Sequence, residues 1–533
     1  MSDARSPRTS TRTRTRSGIP IGLLVLAVLA AAVVVLPVIV TIVQALQGGL
    51  SAATHAIHAT SGKELLLHTV LVALIATPVC GLLGLACAWF VERTRVPFRK
   101  LWTLLLVAPL TVPLFVTSYA WAELSTSLQG LLGAAGVIAF SYYPIVFLLV
   151  AVSLRGMDPA LEESGRSLGL SGRQTFFRVV LPQLRPALLG GLLLVVLDTL
   201  VEFDAFVGLK FQTFAVNVYS QYQLSFSASG AAALSLLSIA LCVVLLFGES
   251  RLRGHANYSR VGSGVSREPT RYRLGWALPL VLCGLALVVA VGLGIPLGML
   301  VYWFTNSSHE GYEIASENLH YLWPATLTSI GLAVGSALLG VILSFPVAIL
   351  AVRYAGRLST VIERATYLSF ALPDLVAAIA LAYAATHLAH FLIGGVALLV
   401  FADAILFVPF AVVALRATLG QIEPALEDSA RSLGAGPLKT LWRVTMPLAR
   451  PGLAAAGVLV FAFVLGDVST TQVLLPPDLY TLGTEFEANS STAAFAAAAP
   501  FAAVLIALSL ISTYVLMSRF GRARTAGKRR KDG

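Results

Sequence analysis

The chain has 533 residues, 57% of them hydrophobic and only 12% charged, with a mean hydropathy of +0.83. That balance excludes a soluble globular protein. The formal net charge of +11 reads as membrane orientation and not as nucleic-acid binding, because the basic residues cluster between long apolar runs.

Residues 1–18 are Ser/Thr/Arg-rich and carry Arg5, Arg8, Arg12, Arg14 and Arg16, which predicts a disordered basic leader on the cytoplasmic face. A cleaved signal peptide is the rival reading, but the apolar run that follows is too long for one. Twelve apolar stretches then have about the length that crosses a hydrocarbon core of roughly 30 Å. They lie near 20–46, 64–91, 101–122, 131–154, 187–203, 230–250, 275–303, 325–352, 361–386, 389–415, 451–467 and 497–518. With the N-terminus inside and the spans alternating, 35 of the 37 Lys and Arg residues fall on the cytoplasmic side, and only Lys63 and Lys210 fall outside. The outer loops carry Glu310, Glu313, Glu317, Asp478, Glu485 and Glu487 instead. Cys80, Cys87, Cys242 and Cys283 fall within apolar runs without metal-ligand spacing and read as small packing residues.

Pro159 to Leu188 (PALEESGRSLGLSGRQTFFRVVLPQLRPAL) recurs without a gap as Pro424 to Leu453 (PALEDSARSLGAGPLKTLWRVTMPLARPGL), with 16 identical positions. Pro113 and Pro373 extend the correspondence towards the start of each half. The chain therefore divides into a first half (19–250, polar loop 155–186), a linker (251–274), a second half (275–518, polar loop 418–451) and a basic tail (519–533). With six spans in each half, the expected fold is all-α and integral to the membrane. It comprises about twelve transmembrane helices in two parallel six-helix repeats, with a pseudo-two-fold axis along the membrane normal.

Each polar loop predicts a short helix. Asp158 and Glu423 stand at the cap, Pro159 and Pro424 at the first helical position, and Gly169 and Gly434 at the stop. Glu162→Arg166 and Glu427→Arg431 have i,i+4 spacing, worth roughly 0.2–0.5 kcal/mol each. Helices of about ten residues are unstable alone in water. Leu161, Ser164/Gly165 and Leu168, like Leu426, Ser429/Ala430 and Leu433, fall on one face, which suits the groove of another protein. Folding back on the chain's own bundle is the alternative for either loop alone.

These segments resemble the EAA loop of ABC importer permeases, in which Glu-Ala-Ala, three residues, Gly, nine residues and Ile-x-Leu-Pro follow in order. Here they read Glu163-Ser164-Gly165, Gly169 and Val179-Val180-Leu181-Pro182, and Asp428-Ser429-Ala430, Gly434 and Val444-Thr445-Met446-Pro447. The alanines are loosened and the second copy opens with Asp. The resemblance implies a coupling helix in each half, docking on a cytoplasmic ABC ATPase dimer through Glu162, Glu163, Ser164, Gly165, Arg166 and Gly169, and through Glu427, Asp428, Ser429, Ala430, Arg431 and Gly434. No GxxxxGK[ST] is present, so ATP belongs to the partner and this chain binds no cofactor and carries no catalytic residue. An extracytoplasmic solute-binding protein, the lipid bilayer of a bacterial inner membrane and cytoplasmic termini complete the implied setting.

The fused layout is similar to the ferric iron permeases, with the thiamine permeases close behind. Leu200-Val201-Glu202-Phe203-Asp204 through Gln212-Thr213-Phe214-Ala215-Val216, and the stretch from Val473 to Phe486, carry the likeness to the iron group. Asp198, Glu202, Asp403 and Asp467 lie in or at the ends of apolar runs, Glu202 and Asp467 at equivalent positions, and Asp374 also falls within a run. A charge at mid-membrane costs roughly 2.5–3.5 kcal/mol on insertion scales, so these acids either line a path for a cation or bond helix ends and each other. The pairs His55/His58 and His387/His390 do not complete a metal site. Permeases for thiamine, a polyamine or a phosphonate, and an ion-coupled secondary transporter, remain the competing readings. A membrane enzyme lacks a nucleophile–base cluster.

Overall fold

The computed structural model describes residues 19–47, 62–157, 159–225, 232, 234–237, 239–241, 243–244, 271–305, 309–354, 356–420, 422 and 424–529. Asp158, Glu423, His55 and His58 lie outside the described residues, as do the leader and most of the linker. The span expected at 230–250 lies largely outside them. Among the described residues the regular structure is helical apart from one isolated β-bridge, Thr94 to Tyr272.

Nine described helices are long and apolar enough to cross a membrane, and two sharply bent pairs bring the number to eleven. The first half runs α1 (Ile21–Gln47), α2 (Gly62–Arg93), α3 (Arg99–Val107), α4 (Leu114–Leu124), α5 (Leu131–Gly156), α6 (Pro159–Ser167), α7 (Leu181–Val201), α8 (Asp204–Gly208) and α9 (Phe214–Ser225). The second half runs α10 (Leu278–Val289), α11 (Ile295–Thr305), α12 (His309–Arg353), α13 (Arg357–Thr366), α14 (Asp374–Leu388), α15 (Val396–Leu419), α16 (Pro424–Ser432), α17 (Met446–Leu465), α18 (Ser469–Leu474), α19 (Leu482–Ser491) and α20 (Phe495–Arg529).

The runs at 101–122 and 361–386, expected as straight spans, are instead bent. The chain turns by 88° between α3 with its 3-10 extension and α4, and by 102° between α13 with its extension and α14. The cause is local. A residue before proline is pushed out of the α region, and Val112 (ψ 122°) and Leu372 (ψ 134°) are extended before Pro113 and Pro373. Another duplicated irregularity is a π turn after each polar loop, Phe176–Val180 and Leu441–Thr445. It leads into Pro182 and Pro447, which have no N–H to donate to the preceding turn.

The halves interlock. Ala27, Ala30, Ala31 and Val34 of α1 bury against Leu332, Val347, Leu350 and Ile362 of the second half. In exchange, Leu285 of α10 enters the first-half core with Cys87, Tyr143 and Phe147, and Met299, Leu300 and Trp303 of α11 pack with Phe115 and Val116 of α4. Each half thus takes its outermost helix from the other. Lipid tails are as apolar as leucine, so close packing, not water exclusion, holds such helices together. At the α2–α5 crossing a Cβ on Gly84 would meet Val146 Cβ at 2.6 Å. Buried threonines in the spans satisfy their hydroxyls on the preceding turn, as Thr41 does on Pro37 O at 2.8 Å and Thr199 on Val195 O at 2.6 Å.

Ala27→Leu on α1 overpacks the seam between the first helix and the second half, at an expected cost of about 1–3 kcal/mol. Thermal unfolding in detergent, followed with limited proteolysis of the second half, measures it. An unchanged midpoint with an unchanged cleavage pattern would mean that α1 does not seat there.

Candidate functional site

The duplicated loops fold as α6 and α16, and both end as the glycines predict. Gly169 (φ +84°) and Gly434 (φ +85°) are left-handed. The Leu170 N–H donates to Gly165 O at 3.2 Å and the Gly169 N–H to Arg166 O at 2.9 Å. The matching bonds run from Ala435 to Ala430 O and from Gly434 to Arg431 O, both at 3.0 Å. Each set is a Schellman closure, which a left-handed glycine permits without a Cβ clash.

The outward faces carry leucines that no described residue covers. Leu168 is 83% and Leu433 87% exposed, and Leu161 and Leu426 are also exposed. Glu163, Ser164, Arg166 and Gly169 of the first copy share this exposure, as do Asp428, Ser429, Arg431 and Gly434 of the second, while Gly165 is buried and Ala430 half-buried.

Glu162 and Glu427 turn the other way. They are only 6% and 7% exposed, and the local i,i+4 pairs expected for them give way to long-range ones. Glu162 Oε1 stands 2.7 Å from Arg93 Nη2, while Arg353 Nε donates to Glu427 Oε1 at 3.1 Å. Arg93 and Arg353 are the last residues of α2 and α12, so each polar loop is pinned to the end of a membrane helix. The surroundings differ. Glu162 Oε2 accepts from the Tyr272 hydroxyl at 3.0 Å, and the Arg166 guanidinium lies 4.7 Å above the Tyr272 ring. Tyr272 belongs to the end of the linker and is clamped by its backbone, its N–H on Arg93 O (2.9 Å) and its carbonyl under the Arg95 N–H (3.0 Å). Burial, with the Glu162 carboxylate adding to it, pushes the Tyr272 phenol above its ordinary pKa and keeps it a donor. In the second half Thr445 donates to Glu427 Oε1 at 3.1 Å, and Arg353 also donates to Ile422 O at 3.2 Å. A further pair of anchors joins Glu92 to Arg99 and Arg155, and Glu363 to Arg416.

At the other end of the same helices the two halves share a chamber. The helical segment Gly172–Val201 has 30 residues, about 45 Å at 1.5 Å per residue, so the chamber lies far from the loops. Glu202 follows α7, and Gly466 and Asp467 follow α17. The hydroxyl of Ser469 donates to Asp204 Oδ1 at 2.7 Å, and the two occupy equivalent positions of the repeat. Repeat-equivalent residues touch only at the symmetry axis, so the chamber sits on it. Five carboxylates line it: Asp198, Glu202, Asp204, Asp374 and Asp467. Tyr142 and Ser369 add hydroxyls, and Phe407, Phe410 and Phe463 form an aromatic wall, with ring centroids 3.9 Å apart for Phe410–Phe463 and 5.7 Å for Phe407–Phe463. Both bends contribute, through Val112, Pro113 and Leu114 and through Leu372 and Asp374. Tyr142 donates to Glu202 Oε2 at 3.1 Å, the Ala205 N–H to Glu202 Oε1 at 3.0 Å and the Thr470 N–H to Asp467 Oδ1 at 3.2 Å.

Of the four acids singled out in the sequence, Asp198, Glu202 and Asp467 meet here. Asp403 does not line the chamber; it is buried in α15 with Ser336 Oγ 3.5 Å from its Oδ2. Asp204 and Tyr142 escaped the sequence reading. Asp204 had a signal, since it is the repeat equivalent of Ser469. His387 uses its Nδ1 on Tyr383 O at 2.9 Å. Among the described residues no three His, Cys, Asp or Glu side chains stand in a metal-holding arrangement.

Glu162→Ala would leave Arg93 buried without its counter-charge, an expected loss of about 3–5 kcal/mol. The exposed neighbour changed to Glu163→Gln should leave the thermal midpoint in detergent unmoved. Equal midpoints for the two variants would remove the anchoring role of the Arg93–Glu162 pair.

Comparison with known proteins agrees with this architecture. The chain matches the family described as "Binding-protein-dependent transport system inner membrane component" twice, over residues 81–252 and 337–524. It is 33% identical to the Fe(3+)-transport system permease protein FbpB 2 of Haemophilus influenzae over 499 residues, covering 93% of this chain and 98% of that protein. It is 24% identical to the ferric transport system permease protein FbpB of Actinobacillus pleuropneumoniae, over 68% of this chain and 55% of that protein. The sulfate transport system permease protein CysT of Salmonella typhimurium is 30% identical over 36% of this chain and 77% of its own length. Two matches in one polypeptide, each containing one polar loop and one of the two chamber-forming helices, make this chain a member of the binding-protein-dependent transport system inner membrane components, with both permease units fused in a single multi-pass membrane protein.

Proposed function

We propose that this chain is the membrane subunit of an ATP-driven importer of ferric iron. An extracytoplasmic binding protein delivers the iron, and a separate cytoplasmic ATPase dimer supplies the work. The names of the relatives that share most of its length support the iron assignment. The observation that carries the ATPase partner is the duplicated helix with an uncovered leucine face, since a two-fold partner explains two equal docks on one side. Glu163, Ser164, Arg166, Asp428, Ser429 and Arg431 face that partner, while Glu162 and Glu427 hold the docks from behind. The concentration of Lys and Arg near the docks orients this face to the cytoplasm, with both termini there and the membrane bacterial and inner. The chain itself binds no cofactor, and ATP stays with the partner.

Closure of the ATPase dimer would move α6 and α16 together. The Arg93–Glu162 and Arg353–Glu427 pairs transmit that motion to α2 and α12, and the π turns to α7 and α17. The halves then rock about the axial chamber, which Asp198, Glu202 and Asp467 line as part of the path; Asp403 stands outside it, within α15. Relatives named for sulfate match only about a third of the chain, and five carboxylates oppose an anion.

Glu163→Arg combined with Asp428→Arg should abolish pull-down of the ATPase and lower labelled ferric iron uptake by roughly tenfold or more, about 1.4 kcal/mol per decade, with the chain still in the membrane. Retained pull-down would overturn the docks. Uptake that ignores an ATPase disabled in hydrolysis and follows the proton gradient would make the chain a secondary transporter. ATP-dependent uptake of thiamine without iron would replace the substrate.

A further inference from the structure

The carboxylates of the anchors and of the axial chamber form two groups, with Asp403 apart from both beside Ser336. Glu92, Glu162, Glu363 and Glu427 are each neutralised by an arginine. The five in the axial chamber are not: among the described residues no Lys, Arg or His lines it. Their partners are hydroxyls and amides, from Tyr142, Ser469, Ala205 and Thr470. Asp467 is 8% exposed, and its Oδ2 has no hydrogen-bond partner among the described residues. An acceptor buried without a partner is costly, and a carboxylate oxygen more so than a neutral one. Asp467 Oδ2 is therefore an open acceptor for a donor or a cation from outside the described residues.

We infer that the axial chamber binds an unchelated, hydrated multivalent metal cation between the carboxylates of both halves, and that the anionic chelator accompanying the metal outside stays behind. The lining donors are all oxygens, carboxylate and hydroxyl, a set that takes hard cations; imidazole and thiolate, which softer transition metals prefer, are absent from the described lining. A ferric chelate with an excess of carboxylates or phosphates carries negative charge and meets five more. Among the described residues no three acids stand close enough to clasp an ion together, so in this conformation the chamber holds a cation through its water shell. Glu202 and Asp467 are repeat-equivalent and flank the axis, so rocking of the halves is what brings them onto the ion. The inference rests on the importer reading for the identity of the cargo, but not for the existence of the site.

Terbium(III) is a hard trivalent probe whose emission is sensitised by a nearby phenol, here Tyr142. The complete chain in lipid nanodiscs should bind terbium(III), displaceable by gallium(III). Glu202→Gln with Asp467→Asn should weaken that binding by roughly tenfold or more, Asp467→Glu should keep it, and Tyr142→Phe should lower the emission more than the affinity. Gel filtration and ATPase pull-down establish that the double variant is folded. Wild-type terbium(III) affinity in the folded double variant would overturn the site. So would displacement by spermidine as effective as by gallium(III), which would make the ligand an organic polycation. Full iron uptake by a double variant that has lost terbium(III) binding would overturn the site's role while leaving the iron importer intact. Normal terbium(III) binding in a wild-type chain that imports no iron would uphold the cation site and remove iron as its cargo.

Discussion

A charge inside a membrane protein must be compensated, and this chain meets that constraint in opposite ways at the two ends of its helices. Near the polar loops the buried carboxylates Glu92, Glu162, Glu363 and Glu427 each meet an arginine. Those pairs are geometric devices more than sources of stability, since desolvating two ions offsets most of their attraction. The Arg93–Glu162 and Arg353–Glu427 pairs tie α6 and α16 to the last residues of α2 and α12, so that a short helix unstable alone in water has a fixed position. At the axis the carboxylates meet hydroxyls and amides, and no described Lys, Arg or His lines their chamber. The same side-chain chemistry makes an ion-paired joint at one end of the helices and an acid-lined chamber at the other.

How far the sequence disclosed this depends on whether the signal was local. The polar loops were legible because their punctuation is local: Gly169 and Gly434 take the left-handed conformation that their positions require. The repeat was legible because more than half of the aligned positions in the two loops coincide. The bends were not. Pro113 and Pro373 mark them, but Pro37, Pro78, Pro144 and Pro409 sit inside continuous helices, so a proline in an apolar run does not tell a kink from a break. Nor does an apolar helix disclose its neighbour. The exchange of α1 and α10–α11 between halves rests on alanine and leucine surfaces that would suit either bundle. Glu162 was read with Arg166, one helical turn on, because its true partner Arg93, at the end of a separate membrane helix, leaves no local trace.

The repeat preserves backbone devices and varies the side chains around them. Short polar-loop helices, Schellman closures, π turns and proline bends occur in both halves. The partners do not: Tyr272 supports Glu162 of α6 where Thr445 supports Glu427 of α16, and Arg155 and Arg416 draw their counter-charges from different helices. The backbone of each polar loop is kept equivalent, whereas the side chains that hold it in place differ. The Tyr272 contact also ties the end of the linker to α6, with no counterpart among the described residues around α16.

The axis is where fusion of the halves matters most. In a strict two-fold dimer of first halves, Asp204 would face another Asp204, and two carboxylates about 4 Å apart repel by about 4 kcal/mol at the effective dielectric of a partly solvated protein site. Here its equivalent is Ser469, and the pair forms a 2.7 Å hydrogen bond instead. Asp198 likewise has Phe463 as its counterpart, so one wall of the chamber is acidic and the other aromatic. Glu202 and Asp467 keep a carboxylate on both sides. A single polypeptide can hold this mixture, with a carboxylate on both sides at the positions that flank the axis and on one side only at the position that lies on it.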